Sequence, residues 1–475
     1  MCKGSTNDSD SFCPGSNPGQ AAIKRLTQCQ TLFILKFLIG GGYILFDKLK
    51  QKTMSANEYV KTFVKWMFLA TITGGFGGIV GSLFNMCIVY VTKMRNKNSW
   101  LIFLLPLGGL LIVFLYRICK MDKNSGTNNV IKSVRSEEDV PFLLAPLIFI
   151  GTTVTHLFGG SVGREGAALQ LGGSIGEMTG KLIKLNENDM HIIRMCGMSS
   201  VFSALFGTPL TATFFALEVI SVGIIHYSAF IPCLLSAVLS YKVSLLFGII
   251  PETYLLPYIP LLSMASFFKT IAIGIVCAVV SIIFCVGIFG TNKLFKKWLR
   301  NPYLRIFVGG VIIVALTFFL GTTDYNGAGM NVIDRAVLEG KALPYAFLLK
   351  MIFTAITIGC GFKGGEIVPT LFIGATLGCV LGGLLHFNPA FSAALGMVGM
   401  FCGVVNCPIA SVLLSVELFG SGGIVLFATV AAVSYMMSGY YGLYSGQKIV
   451  YSKLRTEFIN IYTCLLYTSD AADEL

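Results

Sequence analysis

Gly159-Gly160-Ser161-Val162-Gly163-Arg164-Glu165-Gly166 opens an apolar, glycine-rich segment that continues through Gln170, Gly172 and Gly173. Gly364-Gly365-Glu366-Ile367-Val368-Pro369 opens another, which places Glu366 at an offset of 201 from Glu165. Further along, Gly207-Thr208-Pro209-Leu210 leads to Glu218, and Asn406-Cys407-Pro408-Ile409 leads to Glu417, at an offset of 199. The stretches 72–84 and 271–284 match at a similar spacing. Three landmarks in one order at nearly one offset identify two related halves, about 60–250 and 261–460.

The composition says what kind of halves these are. Of 475 residues, 55% are hydrophobic and 12% charged, with a mean hydropathy of +0.76. Soluble domains carry about 25% charge, so a soluble protein is excluded. Disorder is excluded too, because this much apolar surface cannot stay solvated. An all-α polytopic membrane protein remains.

Apolar runs read as helices include 60–92, 165–183, 209–222, 261–291, 367–386, 408–419 and 447–460. Several are shorter than the roughly 20 residues that cross a bilayer. Short helices that end at membrane depth are tolerated only where they line a cavity or a site. Inverted topology is expected, because it sets such broken ends face to face at the midplane. The repeats are assigned to 54–250 and 251–463. Residues 1–53 are expected to be an N-terminal extension, and 464–475 a disordered or non-native tail.

The net charge of 35 − 23 = +12 lies in clusters between apolar segments, as at 48–52, 120–135 and 293–305. That pattern fits the positive-inside rule and contact with anionic lipid rather than nucleic acid. The 14 cysteines fall largely in apolar helical sequence without metal spacing, and the 4 histidines lack carboxylate partners. No metal and no cofactor is expected.

Glu165 and Glu366 carry the chemistry. An acid at a helix centre in a bilayer costs about 2.5–3.5 kcal/mol. A helix N-terminus supplies roughly half a positive charge and free N–H groups, and so welcomes an anion. A carboxylate there can occupy the anion's own site and, once protonated, can leave it. A first-turn glutamate balanced by Arg164 is the plainer alternative. For Glu218 and Glu417 a capping or pairing role at helix ends is expected.

The string Gly159–Gly166, with Gln170, Gly172 and Gly173, resembles the gating-glutamate motif of the CLC family of chloride channels and anion/proton exchangers. The resemblance spans roughly 60–460 and takes in Gly207–Leu210 with Glu218 and the segment Gly359–Pro369. It implies the CLC fold of two inverted repeats, Glu165 as the gating glutamate, and a homodimer with one anion path per subunit. The chloride-type Gly-Ser-Gly-Ile-Pro segment is here Asn124-Ser125-Gly126-Thr127-Asn128-Asn129-Val130, without the proline. Glu366 follows the paired glycines where chloride-type members are apolar. Val219 stands where chloride/proton exchangers carry an inner proton glutamate. Together these departures resemble the fluoride-exporting CLC branch, a bacterial fluoride/proton antiporter of the plasma (inner) membrane.

Fluoride is small and tightly hydrated, so its site needs close, strong donors. Asn128 and Asn129 offer amide N–H groups, and Thr127 or Ser125 a hydroxyl. Gly163, Arg164, Gly166, Ile367 and Val368 belong to the two helix heads, and the apolar Val368 argues against side-chain contact with the anion. Tyr444 resembles the inner hydroxyl donor of the family, with Tyr451 as the alternative. Glu366 is expected to relay protons inward in place of the residue that Val219 lacks, or else to pair with Lys363. The expected function is fluoride/proton antiport; the alternative is chloride/proton exchange or passive chloride conduction on the same fold. A membrane-embedded enzyme using Ser161 or His156 is disfavoured, because no catalytic motif accompanies them.

Overall fold

Glycine and proline cut the apolar runs into helices far more often than bilayer thickness requires. In the computed structural model, the described backbone covers residues 18–121, 126–136 and 139–463, with side chains from residue 57. Ser125 and residues 464–475 lie outside the described residues. The chain divides into two compact units, Met1–Trp66 and Met67–Leu475. In the first unit the backbone is helical from Pro18 and runs through Met54 without a break.

The first half consists of α1 (Pro18–Lys97), α2 (Leu105–Ile118), α3 (Thr127–Ser133), α4 (Leu144–Leu157), α5 (Glu165–Ile183), α6 (Glu187–Phe206), α7 (Pro209–Glu218), a short strand β1 (Ser221–Val222) and α8 (Phe230–Leu246). The second half repeats the helix order as α9 (Met264–Trp298), α10 (Pro302–Leu320), α11 (Met330–Leu338), α12 (Ala346–Cys360), α13 (Ile367–Leu384), α14 (Pro389–Val405), α15 (Pro408–Phe419) and α16 (Ile424–Met437). Strands β2 (Lys448–Tyr451) and β3 (Phe458–Tyr462) follow. Among the described residues, six helices are long and apolar enough to cross a membrane.

Caps explain where the paired helices begin and end. The Asn186 side chain accepts from Asp189 N at 2.9 Å to start α6, and Asn388 accepts from Phe391 N at 2.9 Å to start α14. Both helices stop at a left-handed residue, Gly207 (φ 71°) and Asn406 (φ 58°). The starts are 202 apart and the ends 199, because α6 has 20 residues and α14 has 17. One turn is missing from the second copy, which accounts for the drifting offset.

The helix pairs approach through equivalent glycines. A Cβ on Gly172 would sit 2.3 Å from Gly197 O, and one on Gly374 would sit 2.3 Å from Gly396 O. Any side chain there would push α5 from α6, or α13 from α14.

Two stretches depart from the sequence expectation. The expected helix 209–222 ends at Glu218, and 447–460 is a strand and a turn leading into a second strand. Ile449 and Val450 are β-branched and buried, which suits a strand. β2 pairs in parallel with β1 and antiparallel with β3, so its main-chain groups are satisfied across the sheet. The short helices α3 and α11 were not marked by an apolar run, since each spans only 7 or 9 residues.

Candidate functional site

The heads of α5 and α13 are joined by main chain. Gly163 N donates to Gly365 O at 2.7 Å, and Gly365 N donates to Gly163 O at 2.7 Å. Equivalent residues bonding each other in antiparallel sense are what a two-fold axis between inverted halves requires. A Cβ on Gly365 would lie 2.5 Å from Gly166 N, so only glycine lets the strands approach this closely.

This bridge corrects the alignment. Gly163 pairs with Gly365 at an offset of 202, which makes Arg164 the counterpart of Glu366 and Glu165 the counterpart of Ile367. Arg164 and Glu366 both occupy the residue before the helix. The two glutamates are therefore not equivalents. Matching like with like in the sequence shifted the register by one.

Glu165 is fully buried at the first position of α5. Its Oε2 accepts from Val368 N at 3.1 Å, and its Oε1 has no hydrogen-bond partner. The carboxylate thus reaches across to the N-terminus of the opposite helix, where the exposed amide and the helix dipole favour negative charge. Val368 contributes its main chain, and Ile367 is the first residue of that helix. The Arg164 guanidinium turns to Asn85 Oδ1 at 2.6 Å and to Glu252, so it does not cover Glu165 with a hydrogen bond. The Gly163 amide is spent on Gly365 and is no anion donor here.

Against the segment leading into α13 lies a cavity of about 480 Å³ whose wall includes Thr127, Asn128, Gln170, Lys363, Glu366 and Tyr444. Thr127 Oγ1 donates to Gly166 O at 3.2 Å and accepts from Gln170 Nε2 at 3.0 Å. Asn128 Oδ1 accepts from Gly446 N at 2.9 Å, which leaves its amide N–H groups unspent. Glu366 Oε2 and the Tyr444 hydroxyl are buried without partners. The Tyr444 carbonyl is held by Gln447 N at 2.9 Å, at the foot of β2.

Other expected residues lie elsewhere. Asn129 is absent from this wall, and its main-chain N–H donates to Gly126 O at 3.1 Å. Tyr451 is 46% exposed on β2 against Phe458. Lys363 forms no ion pair with Glu366; its ammonium rests 4.4 Å over the Tyr116 ring. Glu218 accepts from Ile409 N and Ala410 N at 3.2 and 2.9 Å, and Glu417 accepts from Leu210 N and Thr211 N at 2.8 and 2.9 Å. Each acid caps the opposite half's helix. Val219, beside Glu218, is fully buried.

Gln170, Tyr116 and Lys363 were not among the expected site residues. Gln170 is four residues after Gly166 and so shares its helix face, which was a readable signal. Nothing in the sequence brings Tyr116 to Lys363.

The geometry of paired broken helices around a buried acid can be set against known proteins. Residues 107–439 match the family described as voltage gated chloride channel. The chain belongs to this family. A chloride/fluoride channel protein of Pseudomonas syringae pv. tomato is similar to it at 33% identity over 396 residues, covering 82% of this chain and 87% of the relative. A crystal structure of a CLC-type fluoride/proton antiporter is similar with a TM-score of 0.79 and 32% identity, covering 81% of this chain and 98% of the other. A slow cyanobacterial Cl⁻/H⁺ antiporter shares the fold at a TM-score of 0.68 and 20% identity, over 78% and 94% of the two chains. As a CLC protein, the chain is an integral membrane protein with the fold of two inverted repeats.

Proposed function

We propose that this CLC protein exports fluoride from the cytoplasm in exchange for protons. The observation that carries the proposal is the Glu165 carboxylate seated on the Val368 amide with one oxygen unpartnered, at the head of α13, whose preceding residue Glu366 lines a cavity together with Asn128 and Tyr444. The solved structure at 32% identity is that of a fluoride/proton antiporter, which supports this anion and its exchange for protons, and the relative at 33% identity is named for chloride and fluoride together.

The cycle follows from the donors. An anion arriving from the cavity takes the Val368 amide and displaces the carboxylate. Released from its donor, the carboxylate accepts a proton more readily, becomes neutral and carries the proton away from the berth. Asn128 and Tyr444 offer the close N–H and O–H donors that replace fluoride's water, and Glu366 passes the proton inward. The repeats are proposed as 54–250 and 251–463. The protein is proposed to work as a homodimer in contact with lipid, in a bacterial inner membrane.

Purified protein in liposomes, loaded with fluoride and followed with a fluoride electrode and a pH electrode together, tests the exchange. Fluoride efflux with stoichiometric proton uptake is expected. Fluoride flux no faster than chloride flux would overturn the choice of anion.

A further inference from the structure

Beside the main cavity lies a chamber of about 300 Å³ bordered by Arg117, Tyr303 and Cys360. The two spaces share Tyr116, Arg305, Gly361 and Lys363 in their walls. Their linings together hold four cationic side chains, Arg117, Lys296, Arg305 and Lys363, against one carboxylate, Glu366. Lys363 stands between them. Its stem lies along Gly151 of α4, where an added Cβ would come within 3.1 Å of Lys363 Cβ and Cγ. That missing side chain makes the groove in which the lysine lies.

The ammonium has three N–H donors, and among the described residues none of them meets a protein acceptor. Among the described residues it rests against the ring of Tyr116. Tyr116 is itself 6% exposed, and its hydroxyl is buried without a partner. The Tyr116 hydroxyl is a donor withdrawn from water and costly to keep bare, and Lys363, half-buried in the walls of the same two spaces, forms no ion pair among the described residues. A small anion would satisfy both.

We infer that Lys363 and the Tyr116 hydroxyl form a second anion station on the cavity side of Glu366, which loads fluoride before it reaches the Glu165 berth. This deepens the antiport proposal and rests on it for the identity of the anion. The station accounts for why Lys363 is held by an aromatic ring rather than by Glu366: an ion pair with the glutamate would cancel the charge that attracts the anion. Arg305 and Lys296 raise the local concentration of anions in the same spaces.

The test compares wild type with Lys363→Met, Lys363→Arg and Tyr116→Phe. Sodium fluoride and sodium chloride are each titrated into the detergent-purified protein by calorimetry, and KM for fluoride from the cavity side is measured in liposomes. Wild type is expected to bind two anions per chain and Lys363→Met one. KM should rise about tenfold in Lys363→Met with a smaller change in turnover, as for loss of one charge-assisted hydrogen bond. Lys363→Arg should retain both anions. If Lys363→Met binds as many anions as wild type at unchanged KM, the station does not exist. Should that variant fail to fold, Tyr116→Phe removes only a hydroxyl; a severalfold rise in KM supports the station and no rise overturns it. Wild type that moves fluoride without protons would sink the antiport proposal, while the two titrations would still decide whether Lys363 holds an anion.

Discussion

The two halves of the molecule meet in two ways. At Glu218 and Glu417 the contact is symmetric in chemistry as well as in backbone: each acid caps the opposite helix with both oxygens. At the heads of α5 and α13 only the backbone is symmetric, through the Gly163–Gly365 bridge. There the side chains differ, Arg164 against Glu366 and Glu165 against Ile367. A carboxylate with both oxygens committed to main-chain amides has no reason to move. Glu165 and Glu366 each keep a buried oxygen without a partner, and so have something to gain from a proton or from release. The halves are held together where they are alike and equipped for transport where they differ.

The largest expected effect is at Glu165. Glu165→Gln keeps an oxygen for the Val368 amide but cannot titrate, so proton movement should vanish from liposome recordings while anion movement persists. Undiminished proton uptake would break the comparison at its centre. Glu366→Gln should lower the coupled proton flux on the order of 10²-fold, the size of a lost general acid/base; a change under twofold would return Glu366 to a structural role.

Tyr444→Phe sharpens the contrast within the anion path. Losing the unpartnered hydroxyl should cost fluoride a few-fold in affinity by titration, against no change for Tyr451→Phe, whose ring lies half exposed on β2. The reverse order would move the inner donor to the sheet. The smallest effect on transport is expected at the caps. Glu218→Ala and Glu417→Ala should each destabilise the protein by about 2 kcal/mol, since each strands two helix-start amides. Thermal denaturation should show comparable losses, with proton coupling intact in the folded protein. Coupling lost on Glu218→Ala alone would make that cap an acid of the pathway.

Some of this was legible in the chain. The apolar runs gave the membrane class, and the two glycine-acid strings exposed the repeat. Glycine and proline marked where α5, α7, α13 and α15 begin. The 447–460 segment was not legible, because its apolar pattern suits a helix as well as a strand. What decides it is the edge offered by Ser221–Val222, more than two hundred residues earlier.

By itself, the sequence determined an integral membrane protein built of two halves, each with a broken helix headed by glycines. It also determined that an acid stands at each head, since composition and local spacing act over a few residues and need no partner. Only the tertiary structure decided that Glu366 answers to Arg164 rather than to Glu165, because register across the heads is set by the two hydrogen bonds between Gly163 and Gly365. It alone also brought Tyr116 to Lys363 and each cap to its helix. These contacts join segments that are remote along the chain, and no local preference of either segment encodes where the other will be.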